Sequence, residues 1–196
     1  PHLIYVPERP FSMDAFLGDV DRIHKKLGRC LVAVSEGIAD ESGEAILSKF
    51  TQEKDAHGNV QLSGTGALGD LLAGQIKAKL GISRVRADTF GYLQRSFPGL
   101  WSEVDAAEAE EVGRLAVRYA AAGCPDGSVA IRRKPGKKYA AAYERVALDT
   151  VARETRSLPP AYIARAGNDV TAAFVEYARP LVGALPETAL LKACPI

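Results

Sequence analysis

The chain has 196 residues, 47% of them hydrophobic, with 25 Lys and Arg against 24 Asp and Glu and a formal net charge of +1. That length can bury a sizeable core, and the near-zero charge excludes a global field that would gather nucleic acid or a membrane surface, so any anion binding has to be local. Cys30, Cys124 and Cys194 are odd in number and far apart, without CxxC or Cys/His spacing, which predicts free thiols in a reducing compartment, the cytoplasm. No apolar run approaches the roughly 20 residues of a spanning helix, and PHLIYVPERP lacks the basic start and long apolar core of a signal peptide. The first residue is Pro1 and a predicted strand follows almost at once, so the sequence reads as a piece of something longer.

LIYV, residues 3–6, is a short apolar run closed by Pro7 and predicts a buried strand. Ser12 can cap a helix in which Phe16, Val20, Ile23 and Leu27 recur at helical spacing before Gly28 stops it. CLVAVS, residues 30–35, is apolar on both alternating faces, as a parallel strand covered on each side must be, and completes a βαβ unit with a right-handed crossover. Residues 37–66 are charged, Gly-rich and without a period, and read as an irregular excursion. Leu68, Leu71, Leu72, Ile76 and Leu80 line one face of a helix ended by Gly81, and SRVRADTF then predicts a half-buried strand. A further helix starts at Ser102, with Asp105 three residues on, buries Val112, Leu115, Ala116 and Tyr119, and stops at Gly123. GSVAIRR, residues 127–133, predicts a strand, and RRKPGKKY, 132–139, a solvated basic turn rather than a nucleic-acid patch. A helix is expected over roughly 144–157, before Pro159, and a last one capped by Asn168, with Thr171 near its start, running to about Arg179 before Pro180. Trp101 and Tyr119 are expected in the core. The sum is an α/β chain built on an open, mainly parallel sheet with helices on both faces.

The chemistry concentrates in RVRADTFGYLQRSFPG, Arg84 to Gly99. Period-two alternation puts Arg84, Arg86 and Asp88 on one face and Val85, Ala87 and Thr89 on the other, with Tyr92 and Arg95 just beyond the turn at Gly91. An Arg fork stays charged and carries five donors, so Arg86 and Arg95, helped by the Tyr92 hydroxyl, suit a dianionic sugar phosphate. A solvated basic strand is the open alternative. Glu36, at the carboxyl end of CLVAVS and followed by Gly37, stands where open parallel sheets take ligands. It can accept from sugar hydroxyls, or cap a helix, or pair with an arginine. Asp40 and Glu41 read as solvated loop acids, and His2, His24 and His57 are too scattered for a metal triad or a nucleophile–base pair. LSGTGALG, 62–69, lacks the Lys-Ser/Thr ending of a P-loop and reads as a helix start.

As a set, VAVSEGIADESG (32–43) and RVRADTFGYLQRSFPG resemble the fructose-6-phosphate half of the phosphofructokinase family, in family order and spacing. LIYVPE resembles the strand and Pro-Glu that follow the family's catalytic region, and NDVTAAFVEYARPLVGALP (168–186) the C-terminal ending of its diphosphate-dependent branch. The resemblance implies a C-terminal half, residues 1–187, with a phosphofructokinase-like sugar-phosphate domain, C-terminal helices over 144–187 and a tail at 188–196. It implies that Glu36 hydrogen-bonds the sugar, that Arg95 and Tyr92 hold the 6-phosphate, and that Arg86 serves the neighbouring subunit of a homo-oligomer, dimer or tetramer. Tyr92, in place of a common histidine, and Ser96-Phe97-Pro98, in place of Gly-Gly, favour diphosphate as donor; an ATP-dependent enzyme and a non-catalytic regulatory subunit are the alternatives. The family's Gly-Gly-Asp, Thr-Ile-Asp-x-Asp and Met-Gly-Arg motifs have no match here. The resemblance thus implies a glycolytic phosphotransferase whose catalytic aspartate and Mg²⁺ ligands are not in this chain, so that residues 1–196 alone are inactive.

Overall fold

The computed structural model describes residues 1–49, 66–91, 99, 101–136, 138–152 and 156–185. They divide between two compact units, one formed by Pro1–Phe97 with Ser157–Phe174 and the other by Pro98–Arg156 with Val175–Ile196. In the first unit, strand β1 (Leu3–Tyr5) leads into helix α1 (Met13–Leu27) and returns as strand β2 (Val32–Val34). The two strands pair in parallel, Leu3 with Val32, Ile4 with Ala33 and Tyr5 with Val34, as the apolar runs predict. The ends of α1 follow from its sequence: Ser12 Oγ accepts from the Ala15 N–H, and Gly28 closes the helix at φ +67°, a left-handed conformation that only glycine adopts without steric cost. Helix α2 (Ala67–Leu80) ends on Gly81 in the same way.

One core organises this unit. Leu3 and Tyr5 of β1, Phe16, Leu17 and Val20 of α1, and Leu68, Leu72 and Ile76 of α2 form a single cluster, and the rings of Tyr5, Phe11 and Phe16 pack edge-on or tilted with centroids 5.4–5.6 Å apart. Ile38, Ile46 and Leu47 complete it from the stretch expected to be an irregular excursion. Residues 38–49 hold their place through an isolated bridge between Ala39 and Ala45 and a short 3-10 turn, Leu47–Lys49; residues 50–65 lie outside the described residues.

The second unit contains helix α3 (Glu103–Ala121) and a hairpin of strands β3 (Ser128–Arg133) and β4 (Ala141–Val146), antiparallel from Ser128–Val146 to Arg133–Ala141. Strand β4 overturns the expected helix over 144–157. Cross-strand partners, Ile131 beside Tyr143 and an Arg132–Glu144 ion pair on the other face, outweigh the helical propensity of AAYERV. Of the basic segment 132–139, Arg132 and Arg133 belong to β3, Lys134, Pro135, Gly136 and Lys138 are exposed beyond it, and Lys137 lies outside the described residues. The stripe expected for α3 is formed only in part: Val112, Leu115 and Tyr119 are half-buried and Ala116 is exposed, while the helix's buried residue is Glu108, receiving the Tyr139 hydroxyl, and Trp101, expected in the core, is 60% exposed. That hydrogen bond, then burial, pushes the Tyr139 phenol up to about 12. Arg133 lies 5.1 Å from the Tyr139 ring and 5.2 Å from that of Tyr177, close enough for cation–π attraction to both.

The last helix, α4 (Ala172–Val182), starts later than expected and carries Pro180 within it. Thr171 caps it by accepting from the Phe174 N–H. Asn168 is not the cap: its main-chain carbonyl accepts from the Ile4 N–H at 2.8 Å and its side-chain amide nitrogen donates to Asp19.

Candidate functional site

The carboxyl edge of the β1–β2 pair is the focus. Beyond β2 the Ser35 N–H donates to the Tyr5 carbonyl at 3.0 Å, and the chain turns at Glu36 and Gly37 so that Gly37 faces Pro7 at the end of β1. Glu36 is half-buried on this turn, at the carboxyl edge of the strand pair. Across the same edge the Glu8 carboxylate accepts from the Leu158 N–H at 2.8 Å, tying the 157–174 segment to the end of β1.

Behind the edge sits a half-buried polar clasp that sequence reading missed. The Asp19 carboxylate receives the Tyr5 hydroxyl at 3.0 Å, Arg22 at 2.9 Å and the Asn168 amide. Burial pushes the Asp19 carboxyl up, and the three hydrogen bonds together outweigh it, holding the group below its ordinary value. Burial and the Asp19 charge raise the Tyr5 phenol and the Cys30 thiol in turn, so Tyr5 stays a donor at working pH. A signal for α1's Asp19 existed only in three dimensions: Tyr5 and Asn168 lie 14 and 149 residues away in sequence.

Arg84 and Arg86 lie on residues 82–90, which form no strand. The expected alternation is present only in part: Val85 is half-buried against the core cluster, whereas Ala87 and Thr89, beside Gly69 and Gly66 at the start of α2, are exposed, as are Arg84, Arg86 and Asp88. The segment lies along a helix surface and has no ladder of its own. Among the described residues no ion pair joins Glu36 to Arg86. Tyr92 and Arg95 lie outside the described residues.

Two other features are structural. Asp40 spends Oδ1 on the Ser42 N–H at 2.8 Å, the Ser42 hydroxyl at 2.6 Å and the Glu44 N–H at 3.2 Å, and among the described residues no group of three or more His, Cys, Asp or Glu is placed to hold a metal ion. A cavity of about 160 Å³ between α3 and the hairpin is lined by Tyr119, Cys124 and Arg145, whose guanidinium is committed to the Pro125 and Asp126 carbonyls at 3.4 and 3.1 Å. No described helix is long and apolar enough to cross a membrane.

Comparison with known proteins gives this arrangement a context. A pyrophosphate–fructose 6-phosphate 1-phosphotransferase of Rhodospirillum rubrum is 55% identical over 185 residues, covering 93% of this chain and 45% of that protein. One from Xanthomonas campestris is 33% identical over 182 residues, covering 93% and 42%. The crystal structure of a pyrophosphate-dependent phosphofructokinase from Marinobacter aquaeolei matches with a TM-score of 0.73 at 27% identity, over 97% of this chain and 42% of that one. No family model matches. The chain spans less than half the length of the curated relatives it matches.

Proposed function

This chain belongs to the phosphofructokinase family, and from that premise we propose that its parent protein transfers a phosphoryl group from diphosphate to the 1-hydroxyl of fructose 6-phosphate. The observation that carries the reading is the 55% identity, over 93% of the chain, to an enzyme named for that reaction. The position of Glu36 at the carboxyl edge of a parallel pair supports it. Residues 1–187 are the C-terminal, sugar-phosphate half of the site.

In this reading Glu36 accepts hydrogen bonds from the sugar hydroxyls and sets the acceptor's orientation. Arg95 grips the 6-phosphate with its planar fork, and the Tyr92 hydroxyl donates to the same group. Arg86 reaches the sugar phosphate of the adjacent subunit, which requires a homo-oligomer. These residues bind and orient; none of them is assigned as a base for the 1-hydroxyl proton. The described residues do not fit a Mg²⁺ site, so its ligands, like the proton acceptor, are assigned to the portion of the relatives' length that this chain does not cover. Held there, Mg²⁺ would supply charge neutralisation to the transferred phosphoryl group. The parent enzyme is placed in glycolysis, in the cytoplasm, and residues 1–196 alone are expected to give no turnover.

The test is an assay of the full-length protein on fructose 6-phosphate with diphosphate or ATP. Turnover is expected with diphosphate; turnover with ATP alone would move the protein to the ATP-dependent branch. Protection from heat by fructose 6-phosphate without any turnover would mark a regulatory subunit. Arg95→Ala should raise the KM for fructose 6-phosphate by on the order of 10- to 100-fold, the equivalent of a lost charged hydrogen bond of about 1.5–3 kcal/mol. An unchanged KM would remove Arg95 from the site.

A further inference from the structure

The Arg86 side chain is exposed on a segment with no strand partner, so something other than a ladder must aim it. Helix α2 supplies the surface. A Cβ placed on Gly69 would stand 2.8 Å from the Ala87 Cβ, well inside the 3.5–4.0 Å at which carbon atoms make favourable contact. The Ala87 Cβ has no rotamer through which to retreat, so relief can come only from movement of the backbone. One turn earlier, the corresponding point on Gly66 is 3.5 Å from the Thr89 hydroxyl oxygen. Ahead of Ala87, the half-buried Val85 packs against the core cluster. Arg86 therefore leaves the chain between two residues that both rest on the fold, Val85 packed against the core and Ala87, itself exposed, lying over Gly69.

We propose that Gly69 is a positioning residue for sugar-phosphate binding: its missing side chain lets Ala87 lie flush on α2 and so fixes the direction in which Arg86 projects. The proposal rests on the reading of Arg86 as a sugar-phosphate ligand. With Val85 anchored, lifting Ala87 tilts the intervening residue, and a guanidinium at the end of a long side chain moves further than the backbone that carries it. Misplacement of a binding group by about 1 Å can cost up to about 100-fold in rate. Gly74, on the same helix, has nothing within 4 Å of its own Cβ position and lacks this role.

The experiment is a mutant cycle in the full-length protein, reading KM for fructose 6-phosphate, KM for diphosphate and Tm. Gly69→Ala is expected to raise the KM for fructose 6-phosphate about ten-fold and to leave that for diphosphate within about two-fold. Its Tm should shift little, because the preference of alanine over glycine in a helix offsets the cost of lifting an exposed segment. Gly74→Ala should change neither KM. Ala87→Gly in the Gly69→Ala background should bring the fructose 6-phosphate KM back to near the parent value, since the Ala87 Cα is 4.0 Å from the same point. An unchanged KM in Gly69→Ala, failure of Ala87→Gly to restore it, or a parallel rise of both KM values with a lower Tm would overturn the proposal. Arg86→Ala separates the two claims. If it leaves KM unchanged, the reading of Arg86 fails; if it raises KM while Gly69→Ala does not, the positioning role alone fails.

Discussion

At Asp19 three stretches of the first unit meet: Tyr5 from β1, Arg22 from α1's next turn, and Asn168 from the returning segment all donate to one carboxylate. Removing its charge leaves Tyr5 and Asn168 with a weaker acceptor in a partly buried place, so Asp19→Asn should cost about 1–3 kcal/mol in a denaturant titration at pH 7. The pH dependence has a definite sign. The folded-state pKa of Asp19 is depressed, so its contribution is complete above the unfolded-state value of roughly 3.9 and is lost as pH falls through the folded one. The stability difference between the parent and Asp19→Asn should therefore be flat above about pH 5 and shrink toward zero on acidification below about pH 4. A difference that grows in acid would mean that the carboxylate is strained rather than supported.

Helix α3 shows what an element gains from its ends. Ser102 Oγ accepts from the Asp105 N–H at 3.0 Å and its hydroxyl donates to the Leu181 carbonyl, joining the start of α3 to the end of α4 within the second unit. Ser102→Ala removes a cap and that link together, an expected loss of about 1–2 kcal/mol, measurable as a lower denaturant midpoint at unchanged slope, whereas Ser102→Asp should retain the cap and lose only part of this. Caps of this kind made α1, α2 and the start of α3 legible in the sequence, because Ser12, Gly28, Gly81 and Ser102 act on neighbours within four residues. Strand β4 was not legible: AAYERV is as compatible with a helix as with a strand until Ser128–Arg133 lies beside it. The same holds for the candidate site. The position of Glu36 followed from a local strand end, but the support of Arg84 and Arg86 by α2 rests on Gly69 and Ala87, eighteen positions apart and unremarkable in composition. Asn168 misled for the converse reason, since a good capping residue was claimed by Ile4 and Asp19 instead.

Across the whole molecule the apolar core is unevenly shared. Every buried hydrophobic side chain among the described residues, from Leu3 to Ile163, belongs to the first unit, and in the second the one described buried residue is Glu108. A two-stranded hairpin needs further packing to be stable in water, yet Val117, Ile131 and Val182 of the second unit remain exposed. Cooperative stability scales with buried apolar contact, so local opening should be cheapest where such contact is least. In hydrogen exchange on the isolated 1–196 chain, amides of α1 and α2 should be the slowest, and those of α3 and the β3–β4 hairpin should exchange earlier despite their regular secondary structure. The relatives carry more than half of their length beyond what this chain covers, and that length is available to cover such surface. Protection of Glu103–Ala121 should accordingly rise in the full-length protein, while that of Met13–Leu27 changes little. Equal protection of α3 in the two proteins would show that the second unit is stabilised from within, by residues outside those described, and would leave its exposed valines without a covering partner.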